Sequence, residues 1–295
     1  MDRILKFIQA PYAYRQRIWG QNVGVAILDT GIYPHQDLKK NIAGFRDYVN
    51  GRDLPYDDNG HGTHIAGIIA GNSQFSHHGI APMSMLYGFK VLDAKGNGKI
   101  QDTCQAVEDI LKINEGYTSH IHIINISVGM MENVQPPMQK RLLEAVEEAW
   151  DRGIVVLAAA GNNGPGENTV TSPGISKKII TVGSLDDNTT NTNFPQRRGG
   201  YSGRGPTDAC VVKPEILMPG TNILSCLNST QGYVRKSGTS MAVPVLTGMI
   251  ALLLSKYPSM TPNEIKMRLF YAANKSKMQG TQKSWGTVSL DRLLA

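Results

Sequence analysis

Five short apolar runs, each nearly continuous rather than alternating, constrain this chain most strongly: Val23–Leu28, Met85–Leu92, Ile121–Ser127, Ile154–Ala160 and Ile179–Val182. An unbroken apolar run suits a strand covered on both faces, the condition of a parallel sheet sandwiched by helices. Helical patterns fall between them, over His61–Ala70, Asp102–Asn114 and Gln139–Arg152, the last with Leu142, Leu143, Val146 and Ala149 at helical spacing. Two further helices follow, one from near Ser240 to Ser255 and one over Pro262–Ala273, where Thr261 as N-cap and Glu264 complete a capping box. The alternation predicts an α/β fold: one domain over 1–295, a predominantly parallel twisted sheet with helices on both faces. Residues 1–20 read as an N-terminal arm and 274–295 as a C-terminal extension. The stretch 163–238, rich in Gly, Pro, Ser, Thr and Asn, reads as loops and short antiparallel strands.

With 41% hydrophobic and 18% charged residues, the chain has apolar material for a sizeable core, which excludes disorder, collagen and disulfide scaffolds. The formal charge of +6 is spread thinly, with no Lys/Arg block beyond two or three residues, so nucleic acid is not an expected partner. The nearly apolar run Val243–Leu254 falls short of the roughly 20 residues that span a bilayer, and no membrane partner is expected. Cys104, Cys210 and Cys226 are an odd number without CxxC spacing, and read as reduced thiols. The opening residues lack the apolar core and cleavage site of a signal peptide, so a cytoplasmic location is expected.

Four segments carry chemistry. Val25–Gly31 is an apolar strand delivering Asp29 at its carboxyl end, where a doubly wound sheet opens its ligand crevice. Asn59–Gly67 places His61 at the start of an apolar helix; HGTH lacks the interior Glu and i,i+4 histidines of HExxH, so metal is not expected there. Ser237–Pro244 brings Ser240 into a long helix, with Pro244 read as part of its first turn. Ala158–Gly164 sets Asn162 just past a strand. Alone, each has an ordinary structural reading: a turn Asp, a helix histidine, a capping serine, an Asn-Gly turn. Together they supply an acid, an imidazole, a hydroxyl and an amide donor, the four parts that acyl transfer by a serine requires.

These motifs, with Asp29, His61 and Ser240 in that order, strongly resemble the subtilases, the subtilisin-like serine proteases. The resemblance runs from Ile8 to about Ala273 and includes Ile124–Gly129 and Tyr201–Gly220. It implies Ser240 as nucleophile, His61 as general acid/base, Asp29 as its orienting carboxylate and Asn162 as oxyanion donor, acting on polypeptide substrates without a catalytic cofactor. His64 is read as a structural member of the same helix. The resemblance also implies that an extended peptide is held between Ser127-Val128-Gly129 and the Gly96-Asn97-Gly98 loop, although a plain turn stays open for that loop. Thr171 falls where relatives carry glycine, which implies a shallower pocket that favours side chains of moderate size over Phe or Tyr.

Many relatives bind structural calcium, and Asp37 matches their first ligand. The loop Asn72–His78 offers few carboxylates, so a turn role for Asp37 is equally open. With Asp29 so near Met1, neither a signal peptide nor a long pro-domain fits, and an intracellular, pro-domain-poor relative restrained by an unidentified inhibitor or regulator is expected; a trimmed chain stays open. The alternative function is a catalytically latent relative that binds peptides or regulates, but such proteins tend to lose a triad residue and all four parts are present here.

Overall fold

The computed structural model describes residues 1–73, 78–116, 120–129, 135–187, 200–207, 211–275 and 283–295. Cys210 and part of the Asn72–His78 loop lie outside the described residues. Among these, seven strands form one parallel sheet: β1 (Gly24–Asp29), β2 (Ile42–Asp47), β3 (Met85–Lys90), β4 (Ile121–Ile126), β5 (Val155–Ala159), β6 (Ile180–Ser184) and β7 (Ile216–Met218). Their order is β2-β3-β1-β4-β5-β6-β7, every neighbouring pair running parallel. Strands β1, β5, β6 and β7 are buried at every residue, as their continuous apolar runs require. The edge strand β2 is half exposed and carries Gly44 and Arg46, so it breaks the apolar signal by which the others are recognised. A separate antiparallel hairpin, β8 (Ile223–Cys226) and β9 (Tyr233–Lys236), stands in the loop-rich region.

The chain opens with two short helices, α1 (Asp2–Phe7) and α2 (Ala10–Tyr14), whose Ile4, Ala10 and Ala13 are buried, so the arm is part of the core. Helix α3 (His61–Ala70) follows β2, α4 (Ile100–Asn114) links β3 to β4, and α5 (Pro136–Asp151) links β4 to β5. Helix α6 (Thr239–Lys256) packs against α3 and the sheet, with α7 (Pro262–Ala272) and α8 (Leu290–Leu293) closing the chain. The capping box at α7 forms as expected, Thr261 Oγ1 accepting from Glu264 N at 3.3 Å and Glu264 Oε2 from Thr261 N at 2.8 Å.

Helix α6 is longer and more apolar than the run Val243–Leu254 suggests: by length and composition it could cross a membrane, yet 83% of that window is buried inside the protein. It is apolar all round because core surrounds it. Pro244 is not in its first turn. Gly238 is the N-cap, and Pro244 lies inside the helix, where its missing N–H leaves the Ser240 carbonyl without its helical donor.

Strand β1 is flanked by β3 on one side and β4 on the other, so the direction of winding reverses around it. A crevice therefore opens at the carboxyl ends of β1 and its neighbours. Asp29 ends β1, Ser127 follows β4, and Asn162 follows β5.

Candidate active site

Asp29 is fully buried and held by its neighbour, Oδ1 accepting from Thr30 N at 2.8 Å. Its two oxygens lie 2.8 and 3.0 Å from His61 Nδ1. A carboxylate accepts only, so Nδ1 carries the hydrogen and Nε2 presents a lone pair. Helix α3 can approach the end of β1 this closely because of Gly62: a Cβ there would sit 2.1 Å from the Gly31 carbonyl oxygen.

The helix start is organised by Asp57, four residues before His61. Its Oδ1 accepts from Thr30 Oγ1 (2.9 Å), Asn59 N (3.0 Å) and Gly60 N (2.8 Å). Its Oδ2 accepts from Thr63 N (2.9 Å) and Thr63 Oγ1 (2.7 Å). Thr30 Oγ1 in turn accepts from Gly62 N at 3.0 Å. One carboxylate thus joins the turn after Asp29 to the first turn of the helix bearing His61. Buried Lys90 fixes the same turn from below, Nζ donating to Thr30 O and Leu92 O at 2.8 Å and to Asp58 Oδ1 at 2.7 Å. Sequence reading did not single out Asp57 or Lys90, although acidic residues just before an apolar helix are a capping signal.

Ser240 and Asn162 share the cleft with His61, a cavity of about 690 Å³. Ser240 is not a capping serine. It is the second residue of α6, and among the described residues its backbone N–H has no acceptor. Asn162 Oδ1 accepts from Thr239 N and Thr239 Oγ1, both at 3.1 Å. The Thr239 N–H needs an acceptor, which settles the amide orientation and leaves Asn162 Nδ2 uncommitted among the described residues. Two unpaired amide donors therefore line the cavity that holds the serine.

The other expected residues divide. Ser127, Val128, Gly129, Gly96 and Thr171 all line this cleft. Ser127 is anchored by Asn125 Nδ2 at 2.7 Å, whose Oδ1 accepts from Thr247 Oγ1 of α6 at 2.9 Å. Thr171 stands between two glycines: a Cβ on Gly129 or Gly161 would lie 2.3 or 2.6 Å from its Oγ1. Among the described residues that buried hydroxyl has no hydrogen-bond partner. Gly98 does not reach the cleft. It lines an adjoining cavity of about 560 Å³, and its missing Cβ serves its own loop, where it would meet the Val91 carbonyl at 2.4 Å. The cleft also contains Asn59 and Lys95, which sequence reading passed over.

His64 faces away, Nε2 donating to Ile223 O (3.0 Å) and Val234 O (3.1 Å), so it pins both hairpin strands to α3. Burial pushes its pKa down to about 3. Asp37 is buried with Oδ2 accepting from Tyr233 OH at 2.6 Å, beside His35 and Cys226. His35 is already committed, Nδ1 accepting from Asp37 N at 3.1 Å and Nε2 donating to Gly232 O at 3.0 Å. Burial pushes the Cys226 thiol up to about 12, so it stays protonated. Among the described residues, one carboxylate, an engaged imidazole and a thiol supply few of the six to eight oxygens that calcium takes. The Asp37 carboxylate ties its segment to strand β9 through Tyr233.

Fold and cleft together define an α/β protein with a buried acid, an oriented imidazole, a serine hydroxyl and two free amide donors at a sheet switch point, the arrangement of a serine hydrolase. The model of the subtilase family matches residues 20–287, and the chain belongs to that family. It is 43% identical over 281 residues to serine protease AprX of Bacillus subtilis (strain 168), which covers 89% of this chain and 63% of that protein. Subtilisin Savinase of Lederbergia lenta is 36% identical over 263 residues, covering 89% of this chain and 87% of the relative. A crystal structure of a cold adapted subtilisin-like serine proteinase superposes with a TM-score of 0.73 at 28% identity, covering 92% of this chain and 91% of the other. The chain spans 63% of the length of its AprX relative and 66% of a thermostable alkaline protease of Halalkalibacterium halodurans.

Proposed function

We propose that this chain is a serine endopeptidase that hydrolyses peptide bonds through an acyl-enzyme. The observation that carries the reading is the Asp29–His61 pair at 2.8 Å, in one cleft with Ser240 and the free amide of Asn162. His61 Nε2 takes the Ser240 proton as Oγ attacks the scissile carbonyl, and Asp29 holds the Nδ1 hydrogen and stabilises the imidazolium. The oxyanion receives hydrogen bonds from Asn162 Nδ2 and the Ser240 N–H, both spared by the fold for an external acceptor. Collapse breaks the C–N bond, and the proton on Nε2 passes to the leaving amine. Water then repeats the sequence on the ester, giving up its proton to His61 and releasing the acid and Ser240. No step calls on a metal or an organic cofactor.

Thr171 supports a preference for side chains of moderate size before the scissile bond, because its methyl and hydroxyl occupy the space between Gly129 and Gly161. The unbridged, buried thiols of Cys104 and Cys226 support a cytoplasmic site of action, which cell fractionation with an active-site probe would check. Fluorophosphonate labelling at pH 8, with Ser240→Ala alongside, tests the enzyme reading. Stoichiometric labelling lost in the variant is the expected result. A folded wild type that stays unlabelled would overturn it in favour of a latent peptide-binding role.

A further inference from the structure

The walls of the cleft carry an uneven charge. Lys95 is the one Lys, Arg, Asp or Glu among the described residues lining the cavity of Ser240 and His61. The adjoining cavity shares Leu92, Gly96, Val128 and Gly129 with the first, and among the described residues its single charged lining residue is Lys99. Both lysines are exposed, and neither makes an ion pair among the described residues. Among the described residues no carboxylate lines either cavity: Asp29 is committed to His61, and Asp58 to Lys90.

The nearest acid in sequence, Asp93, serves its own loop. Its Oδ1 accepts from Lys95 N at 2.8 Å and Asn97 N at 2.9 Å, and its carbonyl from Gly96 N at 3.0 Å. Asn59 Nδ2 donates to Ala94 O at 2.9 Å, tying the loop to the residues just before His61. Lys95 thus sits on a pinned loop at a fixed distance from the reacting centre. An extended peptide sends successive side chains to opposite sides. With the residue before the scissile bond directed at Thr171, the preceding side chain turns away from Thr171, toward other residues of the cleft, among which are His61, Asn59, Leu92 and Lys95.

We propose that this cleft selects peptides carrying Asp or Glu two residues before the cleaved bond, with Lys95 as the determinant. The inference rests on the peptidase reading and deepens it. An exposed ion pair of this kind alters kcat/KM by about two- to fivefold, and it weakens as salt shortens the Debye length.

Three fluorogenic peptides identical except for Glu, Gln or Lys at that position test it, against wild type and Lys95→Glu, at low and high NaCl. The expected order for wild type at low salt is Glu above Gln above Lys, compressed at high salt and inverted in Lys95→Glu. Each ratio is taken within one protein preparation, so altered folding of the variant cancels. Equal kcat/KM for all three peptides, or a preference unchanged in Lys95→Glu, overturns the proposal and leaves the peptidase reading standing. No cleavage of any peptide, with no fluorophosphonate labelling of wild type, overturns both.

Discussion

Asp57→Asn changes one oxygen to NH2 at nearly constant volume, at a residue only 4% exposed. The carboxylate accepts five hydrogen bonds, three at Oδ1 and two at Oδ2. An amide keeps one acceptor, so it can serve one set and not the other. With its oxygen toward Thr30, Asn59 and Gly60, its NH2 faces the Thr63 N–H, and a buried backbone donor goes unpaired at a cost of about 1–3 kcal/mol. Loss of the negative charge at the N-terminus of α3 adds about 0.3–1 kcal/mol. The expected destabilisation is therefore about 1.3–4 kcal/mol, or about 2–6 °C in Tm for a chain of this size. Calorimetry on a Ser240→Ala background, which prevents self-digestion, measures it. Asp57→Ala, which removes every acceptor, is expected to fall further. A change below about 1 °C in Asp57→Asn would refute the argument that this carboxylate holds the helix of His61 to the end of β1.

Asn162→Ala is expected to lower kcat by about 10²–10³ with KM nearly unchanged, since Oδ1 serves Thr239 and Nδ2 is left for the oxyanion; a rise confined to KM would show that it binds substrate instead. Thr171→Gly opens the space between Gly129 and Gly161 and should raise kcat/KM for Phe relative to Ala before the scissile bond by about tenfold. An unchanged ratio in a peptide library would remove Thr171 as the limit on size. His64 takes up a proton below pH 6.5 when unfolded but only near pH 3 when folded, so its contribution to stability is complete above pH 6.5 and is lost as pH falls through that window. His64→Gln should flatten the stability–pH curve there by up to one proton, and an unaltered slope would contradict the assignment. EDTA should leave the melting curve unmoved, because Asp37 is spent on Tyr233; a fall reversed by calcium would return the ion to this site.

What local pattern controls was legible before any coordinates. Continuous apolar runs located β1, β3, β4, β5 and β6 to within a residue or two, because burial on both faces leaves no polar alternation. The capping box at Thr261 and the start of α3 at His61 likewise depend on residues a few positions apart. The motifs carrying Asp29, His61, Asn162 and Ser240 were readable because each sits in a short segment with its own signature. Edge strand β2 was not, since a half-exposed strand with Gly44 and Arg46 has no clear period. Other features needed the tertiary structure, because they are relations between distant segments. Thr239 orients Asn162 across 77 residues. Thr171 owes its confinement to two glycines from separate loops, and Asp37 meets Tyr233, 196 residues on. Sequence could specify which groups are chemically competent. Only the folded chain, by spending some donors and acceptors and sparing others, decided which of them are free to act.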